Sequence, residues 1–337
     1  MKKIIIFLSV IFLMTAGCKK DLTSLNNDPK NPRNVPSYTL FTNAQRTLTN
    51  TLTSSNVNLN IFRLIVQYWQ ETTYTDESNY DLSTREINDA VWNALNRDVL
   101  KDFQQAAVLI PSDVNDPNTQ KNELAIVEIM QVYTWYYLVT TYGNIPYSEA
   151  LDINKPFPKY DDAATLYDNL LTRLDAAIAN LDPSGESFGS ADILYEGDVA
   201  AWKKFGNSLK LKMGITIADA DPAKAKSTVE AAVAAGVFTS NADNAEFQYL
   251  SGPPNTNPIW VDLVQSGRKD FVGASTIVDQ LETLSDPRLN DFFTPIDPRD
   301  PASGYEGGTP GASSTYANFS KPDEQIVAAD FPALLLD

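Results

Sequence analysis

One stretch near the middle of the chain, residues 122–150, limits the possible folds more than any other. Its apolar side chains recur at the spacing of an α-helix, and they form a band wider than a single stripe. The band contains Leu124, Ile126, Val127, Ile129, Met130, Tyr133, Trp135, Tyr137 and Leu138. The helix must end near Tyr142, because Gly143 tolerates positive φ and Pro146 cannot donate to a continuing helix. We predict a central helix that is contacted on several sides and whose aromatic residues pack in the core.

Periodic apolar segments on both sides of this helix predict a mainly α-helical fold with few strands. The predicted helices lie near residues 38–52, 59–68, 86–109, 162–181, 198–217, 222–235 and 275–284. Pro111 is expected to end the third of these helices, and Asp161 or Asp162 to cap the fourth. The final residues, 330–337, look like the first turn of an apolar helix that is cut off. We therefore expect helical hairpins with long irregular loops, in a fold that is truncated at its C-terminus.

Composition narrows the chemistry that this chain can perform. The 337 residues contain 26 Lys plus Arg and 43 Asp plus Glu, and the formal net charge of −17 disfavours nucleic acid as a partner. The chain has no histidine, which removes imidazole catalysis and histidine-ligated metals. Its single cysteine, Cys18, leaves no internal disulfide and, in an N-terminal leader, no thiol catalysis. We expect no catalytic residue, no cofactor and no metal.

The N-terminus has the pattern of a lipoprotein signal. Two lysines precede an eleven-residue run, 4–14, that is apolar except for Ser9, and small residues follow before Cys18. A spanning helix needs about 20 apolar residues, so a transmembrane anchor is the poorer interpretation. We predict a signal peptide over residues 1–17, a lipid-anchored tether over 18–37 and a folded domain over 38–337. Thr15 stands where typical lipoprotein signals carry Leu, and the expected modification is acylation, including palmitate, of Cys18.

Four phrases in order carry a family resemblance. YGNIPYSEAL at 142–151 resembles the signature that follows a long helix in SusD/RagB-like outer-membrane lipoproteins of Bacteroidetes. The segment CKKDL from Cys18, the helix at 201–214 and the DPRL phrase at 286–289 occur in the same order. The resemblance implies degenerate tetratricopeptide-like hairpins in a cell-surface lipoprotein that captures oligosaccharides or polysaccharides. It also implies delivery to a SusC-like TonB-dependent outer-membrane transporter, with RagB-like peptide uptake as the alternative.

Two segments carry aromatic residues outside any helical period, at 69–85 and 251–270. Rings that stack on sugars, beside side chains that hydrogen-bond hydroxyl groups, suit a neutral glycan. The predicted ligand-binding residues are Trp69, Tyr74, Asn79, Tyr80, Asn257, Trp260 and Arg268. Packing in the core is the alternative for each aromatic residue. We therefore place the ligand site on these two loops.

A carboxylate-pair glycosidase remains the enzymatic alternative, with Glu71 and Asp76, or Asp161 and Asp162, as its acids. Helix capping or solvation explains these acids equally well. A calcium loop at residues 291–306 lacks the spacing of an EF-hand.

Overall fold

Paired α-helices make up most of the computed structural model, which describes residues 35–85 and 87–337. The lipidation site predicted at Cys18, the signal peptide and nearly all of the tether lie outside the described residues. The helices are α1 (Ser37–Thr53), α2 (Phe62–Ile65), α3 (Asn88–Asn93), α4 (Lys101–Asp113), α5 (Pro117–Tyr142), α6 (Ala163–Asn180), α7 (Val199–Thr216), α8 (Pro222–Ala235), α9 (Pro258–Trp260), α10 (Ser275–Thr283) and α11 (Leu289–Phe292). The strands are β1 (Trp69–Glu71), β2 (Ile145–Pro146), β3 (Tyr160–Asp161), β4 (Ala245–Phe247), β5 (Phe271–Gly273) and β6 (Ala333–Leu336).

The central helix α5 is confirmed, and its caps explain its length. Asp116 accepts a hydrogen bond from the Thr119 amide (2.8 Å) and Pro117 occupies the first turn, so the helix begins earlier than residue 122. It ends at Tyr142, where Gly143 adopts a φ of 74°. Apolar residues are buried around most of its circumference, as the wide band predicts.

Successive helices pack as hairpins around α5. Helix α1 packs on α4, α4 on α5, α5 on α6, α6 on α7 and α7 on α8. A π-helical stretch (Ala94–Leu100) joins α3 to α4, and α4 continues to Asp113, so the predicted end at Pro111 is two residues too early. The proline sits in the last turn, where the missing N–H removes little of the hydrogen-bond ladder. The main core includes the fully buried residues Phe41, Leu48, Phe103, Ile129, Trp202 and Phe205. The predicted helical-hairpin fold is therefore correct.

The YGNIPY segment is held against the hairpins by polar contacts. Strand β2 pairs with β3, and the Asp161 carboxylate accepts hydrogen bonds from the amides of Tyr147 (3.1 Å) and Ser148 (2.7 Å). Arg173 donates to Glu128 and to the Tyr147 hydroxyl (2.7 Å). The signature turn is thus a structural junction between α5 and α6.

The last residues of the chain form a strand, so the helix predicted for residues 330–337 is wrong. Residues Ala333–Leu336 form strand β6, which pairs antiparallel with β4. Ala333 and Leu335 are buried, Leu334 is 52% exposed, and the Leu335 carbonyl accepts a hydrogen bond from Tyr133 (2.7 Å). A short apolar run fits either a helix or a strand, and here the partner strand decided the outcome.

A smaller second core lies beside the helical hairpins. Its buried residues are Leu64, Trp69, Ile259, Phe271, Val278, Leu281, Leu289 and Phe293. Strands β1 and β5 run through this core. The two segments predicted to be irregular, 69–85 and 251–270, contain ordered elements. The first contains β1, and the second contains α9 and a π-helical turn (Val261–Gln265). No helix in residues 35–85 and 87–337 has the length and apolar character needed to cross a bilayer.

Candidate functional site

Pairing between β1 and β5 brings the two predicted binding loops together. The strands are antiparallel, with Trp69 opposite Gly273 and Glu71 opposite Phe271. Beyond the ladder, Thr72 donates from its amide to the Asp270 carbonyl (2.8 Å) and from its hydroxyl to the Lys269 carbonyl (2.7 Å). The chain leaving β1 and the chain entering β5 therefore run side by side. This places Tyr74 and Arg268, two of the predicted binding residues, on the same cleft.

The cleft consists of two small adjoining cavities of about 40 and 60 Å³. The residues common to both cavities are Val57, Arg85, Arg268, Asp270 and Phe271. Tyr74 stands at the edge of the first cavity with 73% of its surface exposed. Enclosed small-molecule sites occupy roughly 300 to 1,000 Å³, so this cleft cannot enclose a sugar. A saccharide would lie across its mouth, with the exposed ring and the charged side chains beneath it.

Charged side chains around the cleft hold one another in place. Arg268 pairs with Asp270 at 2.6 Å, and Arg85 pairs with the buried carboxylate of Glu77. Arg268 keeps more than half of its side chain exposed, so it retains donors for a ligand. This cleft, lined by Tyr74, Arg85, Arg268 and Asp270, is called the Tyr74 cleft below.

Two buried carboxyl groups meet under the Tyr74 cleft. Glu71 and Glu77 are both buried, and their carboxyl groups are close enough to share a hydrogen bond. Burial, and then the hydrogen bond with Glu77, raise the pKa of Glu71 to about 7, although Ser78 donates to Glu71 from its amide (3.1 Å) and hydroxyl (2.9 Å). The Oε2 atom of Glu77 has no hydrogen-bond donor among the described residues. The raised pKa means that burial beside Glu77 favours the protonated form of Glu71.

The acids considered for glycosidase chemistry have structural partners. Asp162 caps α6 by accepting from the Thr165 amide (2.9 Å), and Asp161 holds the YGNIPY turn. Glu71 accepts hydrogen bonds from the amide (3.1 Å) and hydroxyl (2.9 Å) of Ser78. Within the described part of the chain, no three acidic side chains group as metal ligands.

Two predicted binding residues have structural surroundings. Trp69 is 7% exposed; its ring lies 5.6 Å from Phe271, with the Arg63 guanidinium 5.3 Å from its centroid. Asn257 is fully buried and caps α9, accepting from the Ile259 amide (2.8 Å) and donating to the Phe331 carbonyl (2.8 Å). Both polar atoms of the Asn257 side-chain amide therefore have partners within the protein.

Three further predicted residues lie outside the lining of the Tyr74 cleft. Tyr80 is 52% exposed, accepts from Gln67 (3.0 Å) through its hydroxyl and has a positive φ of 60°. Asn79 donates to the carbonyls of Thr75 (2.8 Å) and Gly311 (2.9 Å), and Trp260 is half-buried at the end of α9. A binding role for these residues stays a prediction.

Sequence reasoning did not select Arg85 and Asp270 for the Tyr74 cleft. Asp270 precedes a short strand whose partner is distant in sequence, and Arg85 has no local pattern that marks it. A separate groove of about 430 Å³ also lies on this side of the second core. Its lining includes Arg63, Tyr68, Trp69, Ile277, Leu281, Arg288 and Phe292.

Comparison with known proteins identifies the family. A family model described as "Starch-binding associating with outer membrane" matches residues 29–337. The chain belongs to this SusD-like family, as the four phrases indicate. No curated protein matches the chain.

Solved structures agree with this assignment. One, described as a chitin-binding protein, is 26% identical, with a TM-score of 0.77 over 89% of this chain and 67% of that chain. A SusD/RagB family protein from Bacteroides thetaiotaomicron is 22% identical, with a TM-score of 0.74 over 90% of this chain and 65% of that chain. A chitin-binding SusD homolog from Flavobacterium johnsoniae is 22% identical, with a TM-score of 0.72 over 88% and 63%. The chain thus spans about two thirds of the length of these structures.

Proposed function

We propose that this protein is a cell-surface lipoprotein that captures a neutral polysaccharide at the Tyr74 cleft and passes it to a SusC-like TonB-dependent transporter. The observation that carries the proposal is the meeting of Tyr74 and Arg268, from distant parts of the sequence, at one exposed edge. A ring that is 73% exposed, beside a guanidinium and a carboxylate, suits sugar faces and hydroxyl groups. Binding at such a site requires no titrating catalyst.

Chitin is the first ligand to test, since two of the similar solved structures are described as chitin-binding. Starch fragments are the second, because the family description names starch. Calorimetry with chitohexaose and maltohexaose on the wild-type protein measures both affinities under the same conditions. We expect affinity for one of them, and no hydrolysis of either.

The Tyr74→Ala variant tests the site. By analogy with aromatic side chains that stack on nucleic-acid bases, loss of the ring should weaken binding by about 1 to 3 kcal/mol. The melting temperature should not change, because the ring is exposed. Arg268→Gln should also weaken binding. Tyr160→Ala and Arg299→Gln, which remove a similarly exposed ring and guanidinium elsewhere, are the matched controls. Wild-type affinity in both cleft variants would place the ligand elsewhere.

Peptide capture is the second candidate function, and the 430 Å³ groove favours it. Ile277, Leu281 and Phe292 provide an apolar surface, and Arg63 and Arg288 add positive charge that a peptide carboxylate could use. A peptide array on the wild-type protein separates the two functions. Peptide binding that is lost in Phe292→Asp, whose side chain is 38% exposed, together with no binding of either hexasaccharide, would replace the glycan proposal.

Attachment to the outer membrane is also part of the proposal. The family description associates such proteins with the outer membrane, and Cys18 supplies an acylation site where the signal peptide would end. The proposed division is a signal peptide at residues 1–17, a tether at 18–37 and the binding domain from 38 onward.

A further inference from the structure

We propose that a second saccharide-binding groove lies along the N-terminal half of α1 and acts together with the Tyr74 cleft on long polysaccharides. This inference rests on the proposed function, because both sites would bind the same chain. We call it the Tyr38 groove. Its volume is about 540 Å³, and the residues that carry the proposal are Tyr38, Thr39, Asn43, Arg46, Ser190 and Asn255.

The size and shape of the Tyr38 groove suit a sugar better than the Tyr74 cleft does. Its volume falls within the range of roughly 300 to 1,000 Å³ that small-molecule sites occupy. Helix α1 forms one wall, and the turn Gly189–Ala191 and the segment from β4 to Asn255 form the others. Phe247 of β4 lies at its base and is 8% exposed, so an apolar floor underlies the polar rim.

Helical spacing aligns the polar side chains of this groove. Tyr38, Thr42 and Arg46 are four residues apart and therefore lie on one face of α1. The Tyr38 ring is 52% exposed and can stack on a sugar. Thr39, Ser190 and Asn255 add hydroxyl and amide groups for hydrogen bonds to hydroxyls or N-acetyl groups.

Arg46 is held in place without being neutralised. Its guanidinium donates to the Asn43 side-chain oxygen (3.0 Å), and the Asn43 amide donates to the Asp102 carboxylate (2.8 Å). No acidic side chain of the described residues forms an ion pair with Arg46, whereas the exposed Arg97, Arg288 and Arg299 each have one. Its remaining N–H donors are free for a ligand. The net charge of −17 disfavours a polyanion, which leaves a neutral saccharide as the ligand class.

The Tyr38 groove and the Tyr74 cleft lie near opposite ends of one rigid helix. An α-helix rises 1.5 Å per residue, so Tyr38 is roughly 25 Å from Ser54 at the C-terminal cap of α1. Next to that cap, the Ser55 hydroxyl donates to Asp262 (3.1 Å), and both residues line the second cavity of the Tyr74 cleft. Phe41 and Leu48 are fully buried and fix α1 in the core. The separation along α1 is therefore constant, and binding at both sites requires a saccharide chain long enough to span it, whereas a short chain engages one site at a time.

Two sites on one ligand chain raise its apparent affinity without any new contact, because the second binding event becomes intramolecular. Long saccharides should consequently bind more tightly than short ones, and either site alone should lose this advantage. The saccharide of the pair that the wild-type protein binds, chitohexaose or maltohexaose, is the long probe. Chitobiose or maltose is the corresponding short probe.

The test compares Tyr38→Ala and Arg46→Gln with the controls Tyr160→Ala and Arg299→Gln by calorimetry. We expect each groove variant to weaken binding of the hexasaccharide by roughly tenfold or more, while the controls bind as the wild type does. Hydrogen–deuterium exchange with the hexasaccharide should show protection of residues 38–46 and 189–191 as well as residues 72–85. Melting temperatures of the variants verify that these exposed substitutions leave the fold intact.

The outcomes separate the two proposals. Protection confined to residues 72–85, with wild-type affinity in both groove variants, would overturn the Tyr38 groove and leave the Tyr74 cleft standing. Protection by the hexasaccharide that is confined to the Tyr38 groove, and that persists in the Tyr74→Ala variant, would overturn the Tyr74 cleft. The Tyr38 groove would then be the binding site. If neither hexasaccharide binds the wild-type protein, both proposals are wrong.

Discussion

At the scale of single residues, the Glu71–Glu77 pair is the least conventional feature of the site. Both carboxyl groups are buried, but Arg85 forms an ion pair only with Glu77, so a charged Glu71 would have no cationic partner in contact. Asp76 acts on Arg85 from the same side, and Asp270 and Arg268 flank the cleft above. Burial of an unpaired charge is costly, and protonation of Glu71 removes that cost.

This pair predicts a pH-dependent stability. The folded state raises the pKa of Glu71 to about 7, above the usual value of about 4.5, so folding favours the protonated form. The contribution is complete below about pH 4.5 and is lost as the pH rises through 7. Glu71→Gln should flatten the dependence of the urea midpoint on pH between 5 and 8 relative to the wild type.

Glu123 provides the control for this measurement. Burial also raises its pKa to about 7, with a smaller contribution from Asp113, and it lies in α5 away from the Tyr74 cleft. Glu123→Gln should therefore remove a separate part of the same pH dependence, and the double variant should remove both. An unchanged slope in Glu71→Gln would contradict the raised pKa of Glu71.

We predict that acylation of Cys18 anchors the protein to the membrane. Acyl chains on this residue would retain the protein in the membrane fraction, so Cys18→Ala should release it into the soluble fraction. Immunoblots of fractions washed at high salt measure the release. Thr15→Ala, which keeps the cysteine, is the control, and a Cys18→Ala protein that stays with membranes would contradict acylation.

At the scale of elements, short-range signals defined where most helices begin and end. Asp162, Asp198 and Asp221 each accept backbone hydrogen bonds at the start of α6, α7 and α8, and Pro222 follows the last of them. Strands could not be predicted in this way, because the backbone hydrogen bonds of a strand are made to a partner strand. Residues Ala333–Leu336 became β6 rather than a helix when β4 supplied that partner.

The cap of α6 can be tested directly. Asp162→Ala removes hydrogen bonds to the amide (2.9 Å) and hydroxyl (2.8 Å) of Thr165 and should lower the free energy of unfolding by about 1 kcal/mol. Asp162→Asn should keep most of that stability, because asparagine also caps helices well. Urea denaturation measures both variants, and equal losses in the two would show that charge rather than capping matters.

At the scale of the whole molecule, the two most exposed large apolar side chains of the described residues lie on one loop. Ile153 is 92% exposed and Phe157 is 94% exposed. Glu149 holds the loop by accepting from the Lys155 ammonium (2.8 Å) and the Lys159 amide (3.2 Å). Exposed apolar groups on a held loop are typical of a protein contact, and we propose that this loop touches the transporter.

The corresponding prediction concerns assembly. A double variant, Ile153→Asp with Phe157→Asp, should reduce co-purification of the transporter while leaving saccharide affinity and melting temperature unchanged, since neither side chain is packed. Val108→Asp, at an exposed position of α4, is the control. Transporter recovery equal to the wild type would place the contact on another surface.

The sequence by itself determined the helical hairpins, the end of α5 at Tyr142 and the absence of imidazole side chains. Those features depend on the spacing of apolar residues, on helix caps and on composition. They can be predicted locally, because the hydrogen bonds of an α-helix join residues only four apart. Only the tertiary structure decided that Trp69 and Asn257 are buried, that Tyr74 and Arg268 share a cleft and that Glu71 meets Glu77. These outcomes depend on the pairing of β1 with β5 and on packing between distant segments, for which the local sequence carries no signal.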